Sequence, residues 1–198
     1  MAISVPASFL KKHGRQLGGV QPKKRTSVYD EIKKISVDNS PLVARNDSVH
    51  ICEKDQSLTL ILDGAMTVAH NKILRVKYQA LGDYNDSWYA RIARLVEKNQ
   101  AAINKWKNSL KDGQRLILES VEASNRKAKD NDSSSGSFKP IVDGLVNASL
   151  VKDDSPDLLF ILPPLPMKDK SPKIILRLKP SPSRSQFYSK DLYNLACS

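Results

Sequence analysis

Two short runs in which apolar and polar residues alternate set the tightest limit on how this chain can fold. Leu58, Leu60 and Leu62 take every second position of residues 57–62, and Ile174, Leu176 and Leu178 do the same in residues 173–179, where Arg177 and Lys179 face the other way. A period of two places each trio on one face of a strand, the pattern of a half-buried antiparallel sheet. Neither run can build a core of its own, because units below ~40 residues usually depend on a disulfide or a metal. The late strand is therefore expected to return to the sheet begun by the early one.

Around the early run the pattern reads as a meander. Val49 and Ile51 predict a first strand, Asp63-Gly64 a positive-φ turn, and residues 65–69 the return strand. Leu74, Val76 and Tyr78 alternate with Arg75, Lys77 and Gln79, predicting a further strand with a cationic outer face, and Gly82 closes the sheet. Asp83 or Asn85 then caps a helix carrying Trp88, Ile92, Leu95 and Val96 at i, i+4, i+7 and i+8. The stripe continues through Ala102, Ile103, Trp106 and Leu110, so Trp88 and Trp106, 18 residues apart, are expected on the core face of one continuous helix. Lys111-Asp112-Gly113 ends it, and Leu116, Ile117, Val121 and Ser124 predict a second helix. Residues 130–137, rich in Ser, Asp and Gly, read as an exposed loop. Residues 141–151 fit either a strand or a short helix, whereas 158–162 form a short apolar run of strand length.

The expected fold is thus α+β, an antiparallel β-sheet packed against two α-helices. A disordered basic arm spans residues 1–45, a single domain 46–180 with its Ser-rich loop at 130–137, and a flexible tail 181–198. The cysteines Cys52 and Cys197 have neither metal-knuckle spacing nor a disulfide framework, so no metal or cofactor is expected and a reducing, intracellular setting is. No segment approaches the ~20 apolar residues of a membrane span.

Charge narrows the partner class. The chain carries a net charge of +11, and its first 29 residues hold Lys11, Lys12, Arg15, Lys23, Lys24 and Arg25 without one acidic side chain. Lys11-Lys12 and Lys23-Lys24-Arg25, ten residues apart, have the spacing of a bipartite nuclear-import motif that fills two acidic grooves of an import receptor. The same cations could instead track nucleic-acid phosphates, with salt-dependent affinity, or lie against an anionic membrane. Lys72, Arg75 and Lys77 on the cationic strand, with Arg91 and Arg94 on the helix, extend that candidate surface. Pro163-Pro164-Leu165-Pro166-Met167-Lys168 offers Pro163, Pro166 and Lys168 to an SH3- or WW-type partner, or else forms a rigid turn after a buried strand.

Nothing in the chain points to catalysis. His13, His50 and His70 have no assignable partners, and Gly-rich phosphate loops and nucleophile elbows are absent. Aromatic residues make up 6% of the chain and no aromatic pair of the kind that stacks bases is present, so base-specific readout is unsupported. The expectation is a non-enzymatic, sequence-tolerant nucleic-acid-binding protein, RNA rather than DNA, of nucleus and cytoplasm. Its composition is of the kind seen in viral accessory, movement and matrix proteins. The alternatives are a nuclear-targeted interaction adaptor or a membrane-surface assembly protein that forms homo-oligomers.

Overall fold

A computed structural model of the chain describes residues 27–181, apart from 41, 42, 44, 77, 127 and 128. The two alternating runs meet directly. β2 (Ser57–Asp63) and β6 (Lys173–Pro180) pair antiparallel with Leu58 opposite Leu178, Leu60 opposite Leu176 and Leu62 opposite Ile174. β1 (Ser48–Cys52) pairs antiparallel on the outer side of β2, and β3 (Leu116–Ser124) pairs antiparallel on the other side of β6. β4 (Leu159–Ile161) and β5 (Leu165–Lys168) run parallel to β3 in succession along its far edge. The sheet order is β1-β2-β6-β3-β4, with β5 also on β3.

Six helices accompany the sheet among the described residues: α1 (Val28–Asp38), α2 (His70–Ile73), α3 (Tyr78–Lys98), α4 (Gln100–Ser109), α5 (Asn131–Ser137) and α6 (Lys139–Asn147). The leucine and isoleucine trios of β2 and β6, with Leu116 and Leu118 of β3, join one buried cluster. Ile32 and Ile35 of α1, Trp88 and Ile92 of α3, Trp106 of α4 and Ile141 and Leu145 of α6 complete it. Each such side chain contributes on the order of 1.5–3 kcal/mol by leaving water. Their alternates Ile61, Ile175 and Val121 stand outside the cluster, so the fold is two layers with helices on one face of the sheet. The protein is a mixed α+β domain with a mostly antiparallel sheet.

Several local expectations are overturned. Residues 65–69 form no strand, although Gly64 does take the positive-φ turn at φ +66°. Residues 70–76 are a short helix and a turn, with Leu74 71% exposed, so the cationic strand does not exist. α3 begins at Tyr78, before Gly82 and the expected caps Asp83 and Asn85, because Leu81 and Tyr84 extend its apolar stripe backwards onto the core. Asn99 breaks the long helix into α3 and α4; both tryptophans are nevertheless buried, and the Trp106 indole donates to the Gln56 carbonyl at 2.8 Å. Leu116–Ser124 is a strand between neighbours, not a helix. Val28–Asp38, inside the span assigned to the arm, is a helix started by Ser27, whose side chain accepts from the Asp30 amide at 3.0 Å.

Residues 130–137 are likewise no exposed loop. The Asp130 carboxylate accepts from the Ser133 amide and starts α5, on which Ser133, Ser134 and Ser137 are buried. Small residues let α5 approach α2 closely: a Cβ added at Gly136 would lie 2.4 Å from Cγ of His70 and 2.8 Å from two further atoms of that ring. Gly136→Ala is expected to destabilise the protein by about 1–3 kcal/mol in urea denaturation through overpacking, and His70→Ala in the same chain should restore much of that loss.

Candidate nucleic-acid interface

The most heavily bonded charge in the described structure is Arg91. Its side chain is fully buried, its Nε and Nη2 donate to the two carboxylate oxygens of Asp47 at 2.8 and 2.6 Å, and Nη1 donates to Asn39 Oδ1 at 2.8 Å. Nη2 also donates to the Asp63 carbonyl at 2.6 Å, while the Asp63 amide donates to Asp47 Oδ1 at 2.8 Å. A planar fork of fixed donors suits such a convergence of acceptors. One guanidinium thereby ties α3 to the end of α1, to the segment entering β1 and to the end of β2.

Arg94 and Lys98 follow at three and seven residues, on the same side of α3. With Arg45, Asp47, Val43 and Leu95 they line a cleft of about 270 Å³ over the Arg91 clamp. Among the described residues Asp47 is the one acid in that lining, and Arg91 engages both its oxygens. Arg45 reaches the Asp63 carbonyl at 3.5 Å, and its buried Nε has no partner. Burial and the charge of Arg91 push the Arg45 pKa down, opposed by Asp38, Asp47 and Asp63. Arg94 and Lys98 have no acidic partner among the described residues. The cleft therefore presents three cations, held by a buried fourth whose charge is already compensated.

A second polar site lies under the β5 edge, in a cavity of about 330 Å³. The Glu122 carboxylate accepts from the Thr67 amide at 2.8 Å, from the Thr67 hydroxyl at 3.1 Å and from Lys129 Nζ at 2.6 Å. Thr67 Oγ1 in turn meets Lys129 Nζ and, at 2.9 Å, Ser137 Oγ. Burial lowers the Lys129 pKa, and the contact with Glu122 works against it. At the mouth, Glu31 of α1 accepts from Arg126 at 2.5 Å and from Lys72 at 3.2 Å. Burial pushes the Glu31 carboxyl up, but the Lys72 hydrogen bond and the charges of Arg126 and Lys72 outweigh it and hold the pKa below the usual value. Its lining holds four cations, Lys72, Arg126, Lys129 and Lys168, against two acids, and the three that reach Glu31 or Glu122 fasten α1 and α2 to the sheet.

The residues proposed from sequence therefore separate. Arg94 and Arg91 both line the cleft, Arg94 without an acidic partner among the described residues and Arg91 buried and bonded to Asp47. Lys72 is taken by Glu31, and Arg75 is exposed in the turn after α2 rather than on a strand. Lys77 and the arm residues Lys11, Lys12, Arg15, Lys23, Lys24 and Arg25 lie outside the described residues. Pro166 and Lys168 are exposed on the edge strand β5 and Pro163 is exposed in the link from β4, so the segment is built into the sheet edge. His50 meets Ser48 Oγ at 3.1 Å. Sequence reasoning missed Arg45 and Lys98; the i, i+3, i+7 spacing of Arg91, Arg94 and Lys98 could have found Lys98, whereas Arg45 is brought in only by the clamp. No protein-family model matches the chain, and no curated protein matches its sequence.

Glu31 makes acid sensitivity predictable. Its folded pKa lies below the unfolded value near 4.5, so the stability it contributes is complete above that value and is lost as pH falls through the folded pKa. Glu31→Gln should flatten this part of the stability profile between neutral pH and pH 3, followed by urea denaturation, and should speed amide exchange in α1.

Proposed function

We propose that the protein binds nucleic acid without sequence preference, RNA in preference to DNA, by holding backbone phosphates in the cleft of Arg45, Arg94 and Lys98. The observation that carries this reading is the set of three cations over a clamp that engages both oxygens of Asp47, the one acid lining the cleft among the described residues. A phosphate accepts from several guanidinium and ammonium donors at once, and its charge would offset the repulsion that Arg91 exerts on Arg45. Among the described residues no aromatic side chain lines the cleft, which fits backbone contact rather than base readout. In this reading the six cations of residues 11–25 add to the same electrostatic attraction, and their bipartite spacing suits nuclear import as well.

Fluorescence anisotropy with a labelled single-stranded RNA, at several salt concentrations, tests the reading. Each lost phosphate contact lowers the log–log salt slope by about 0.7 for single strands. Arg94→Glu with Lys98→Glu is expected to weaken binding at low salt at least about tenfold and to reduce the slope by about 1–2, while the melting temperature changes little because both side chains are unpaired. Unchanged affinity and slope in this variant would reject the cleft as the binding site.

A further inference from the structure

We propose that the open face of the sheet is the interface for a second copy of this chain, packed face to face. The pairing registers put Ile61, Ile175, Val121 and Leu165 in one row across β2, β6, β3 and β5. The adjacent row places Ala123 beside Met167. None of these side chains belongs to the core cluster beneath the helices; Leu165 and Met167 are 58% and 52% exposed, Ile61, Ile175 and Val121 are half-buried, and Ala123 is buried. A band of apolar residues in neighbouring rows, rather than scattered singly, is what monomeric surfaces avoid and interfaces use.

The charges around the band decide the occupant. Asp55 pairs with Arg177, Glu119 with Lys179 at 2.5 Å, and Asp169 with Lys173 at 2.8 Å. Asp63 stands opposite Lys173 in the register. With Arg115, which lies over the Phe160 ring on the same face, four bases stand against four acids on a chain whose net charge is +11. A polyanion gains little on a face whose charges already balance, whereas a second copy of the same near-neutral face meets it without net repulsion, as a self-complementary two-fold interface requires. Five strand positions at ~4.8 Å and strands of ~25 Å give roughly 600 Å² of sheet plane, enough for a modest specific interface. Aligned sheets stacked ~10 Å apart would bury the band completely. Pro166 has no amide to donate, which disfavours pairing along the β5 edge and directs association to the face.

Sedimentation velocity of the full-length protein, treated with nuclease and run over a range of concentrations, tests this independently of the nucleic-acid reading. A reversible monomer–dimer equilibrium is expected. Leu165→Glu with Met167→Glu, on an exposed strand where folding tolerates charge, should raise the dimer dissociation constant at least tenfold while leaving the melting curve of the monomer intact. Ile175→Glu, at the centre of the row, should abolish the dimer. Association that disappears with nuclease, a dimer indifferent to all three substitutions, or a protein monomeric at every concentration would each overturn the proposal. The last outcome, if truncation after residue 181 then exposed the band to hydrogen exchange, would assign the face to the chain's own terminus instead. The Arg94→Glu/Lys98→Glu variant should dimerise like the wild type, so the two readings fail separately.

Discussion

The buried guanidinium of Arg91 is the interaction on which the rest of this architecture depends. It is the point where α1, the entry to β1, the exit of β2 and the middle of α3 converge, and every donor it uses finds an acceptor between 2.6 and 2.8 Å. A buried charge of this kind is tolerable because it is paired and its hydrogen bonds are filled; breaking such a pair typically costs about 3–5 kcal/mol. The clamp also spends the acid that would otherwise neutralise the cleft above it. Structure and proposed function are therefore coupled through one residue: Asp47 compensates Arg91 from below, leaving Arg94 and Lys98 without an acidic partner among the described residues and Arg45 only in the field of Asp38, Asp47 and Asp63.

The sheet divides the labour between its faces. One face is sealed by α1, α3, α4 and α6 around the leucine and isoleucine trios. The other has an apolar row bordered by ion pairs of both signs, close to neutral within a strongly basic chain. The cationic cleft lies at the helical side, on α3 and the segment before β1. Face-to-face association would thus leave both copies' clefts accessible, and a dimer would present two phosphate-binding sites to one strand, raising avidity by making the second contact intramolecular.

How much of this was legible in the sequence follows from what each segment buries. β2 and β6 were readable because each is half-buried, so apolar residues alternate cleanly. β3 was not, because it is an interior strand whose Leu116, Ile117 and Leu118 are all buried, and a continuous apolar run between Arg115 and Glu119 resembles a helix as much as a strand. The alternation of residues 74–79 was misleading for the opposite reason: Leu74 is exposed, and the chain turns there before α3 begins. α5 was missed since its burial rests on serine hydroxyls bonded to Thr67 and to the helix itself, with no apolar stripe to reveal it. Of the candidate site, Arg94 was found through its place on the helix. Arg91 looked equally available in sequence, and only the tertiary placement of Asp47, Asn39 and the Asp63 carbonyl separates the two.

The most direct test of this division between clamp, cleft and open face is an amide-resolved NMR titration of the isotope-labelled full-length protein with a short oligouridylate at low salt. The account predicts perturbations concentrated at residues 45–47 and 91–98, with Thr59, Ile175 and Val121 on the open face unchanged. Perturbations centred on the open face, with the cleft silent, would contradict it.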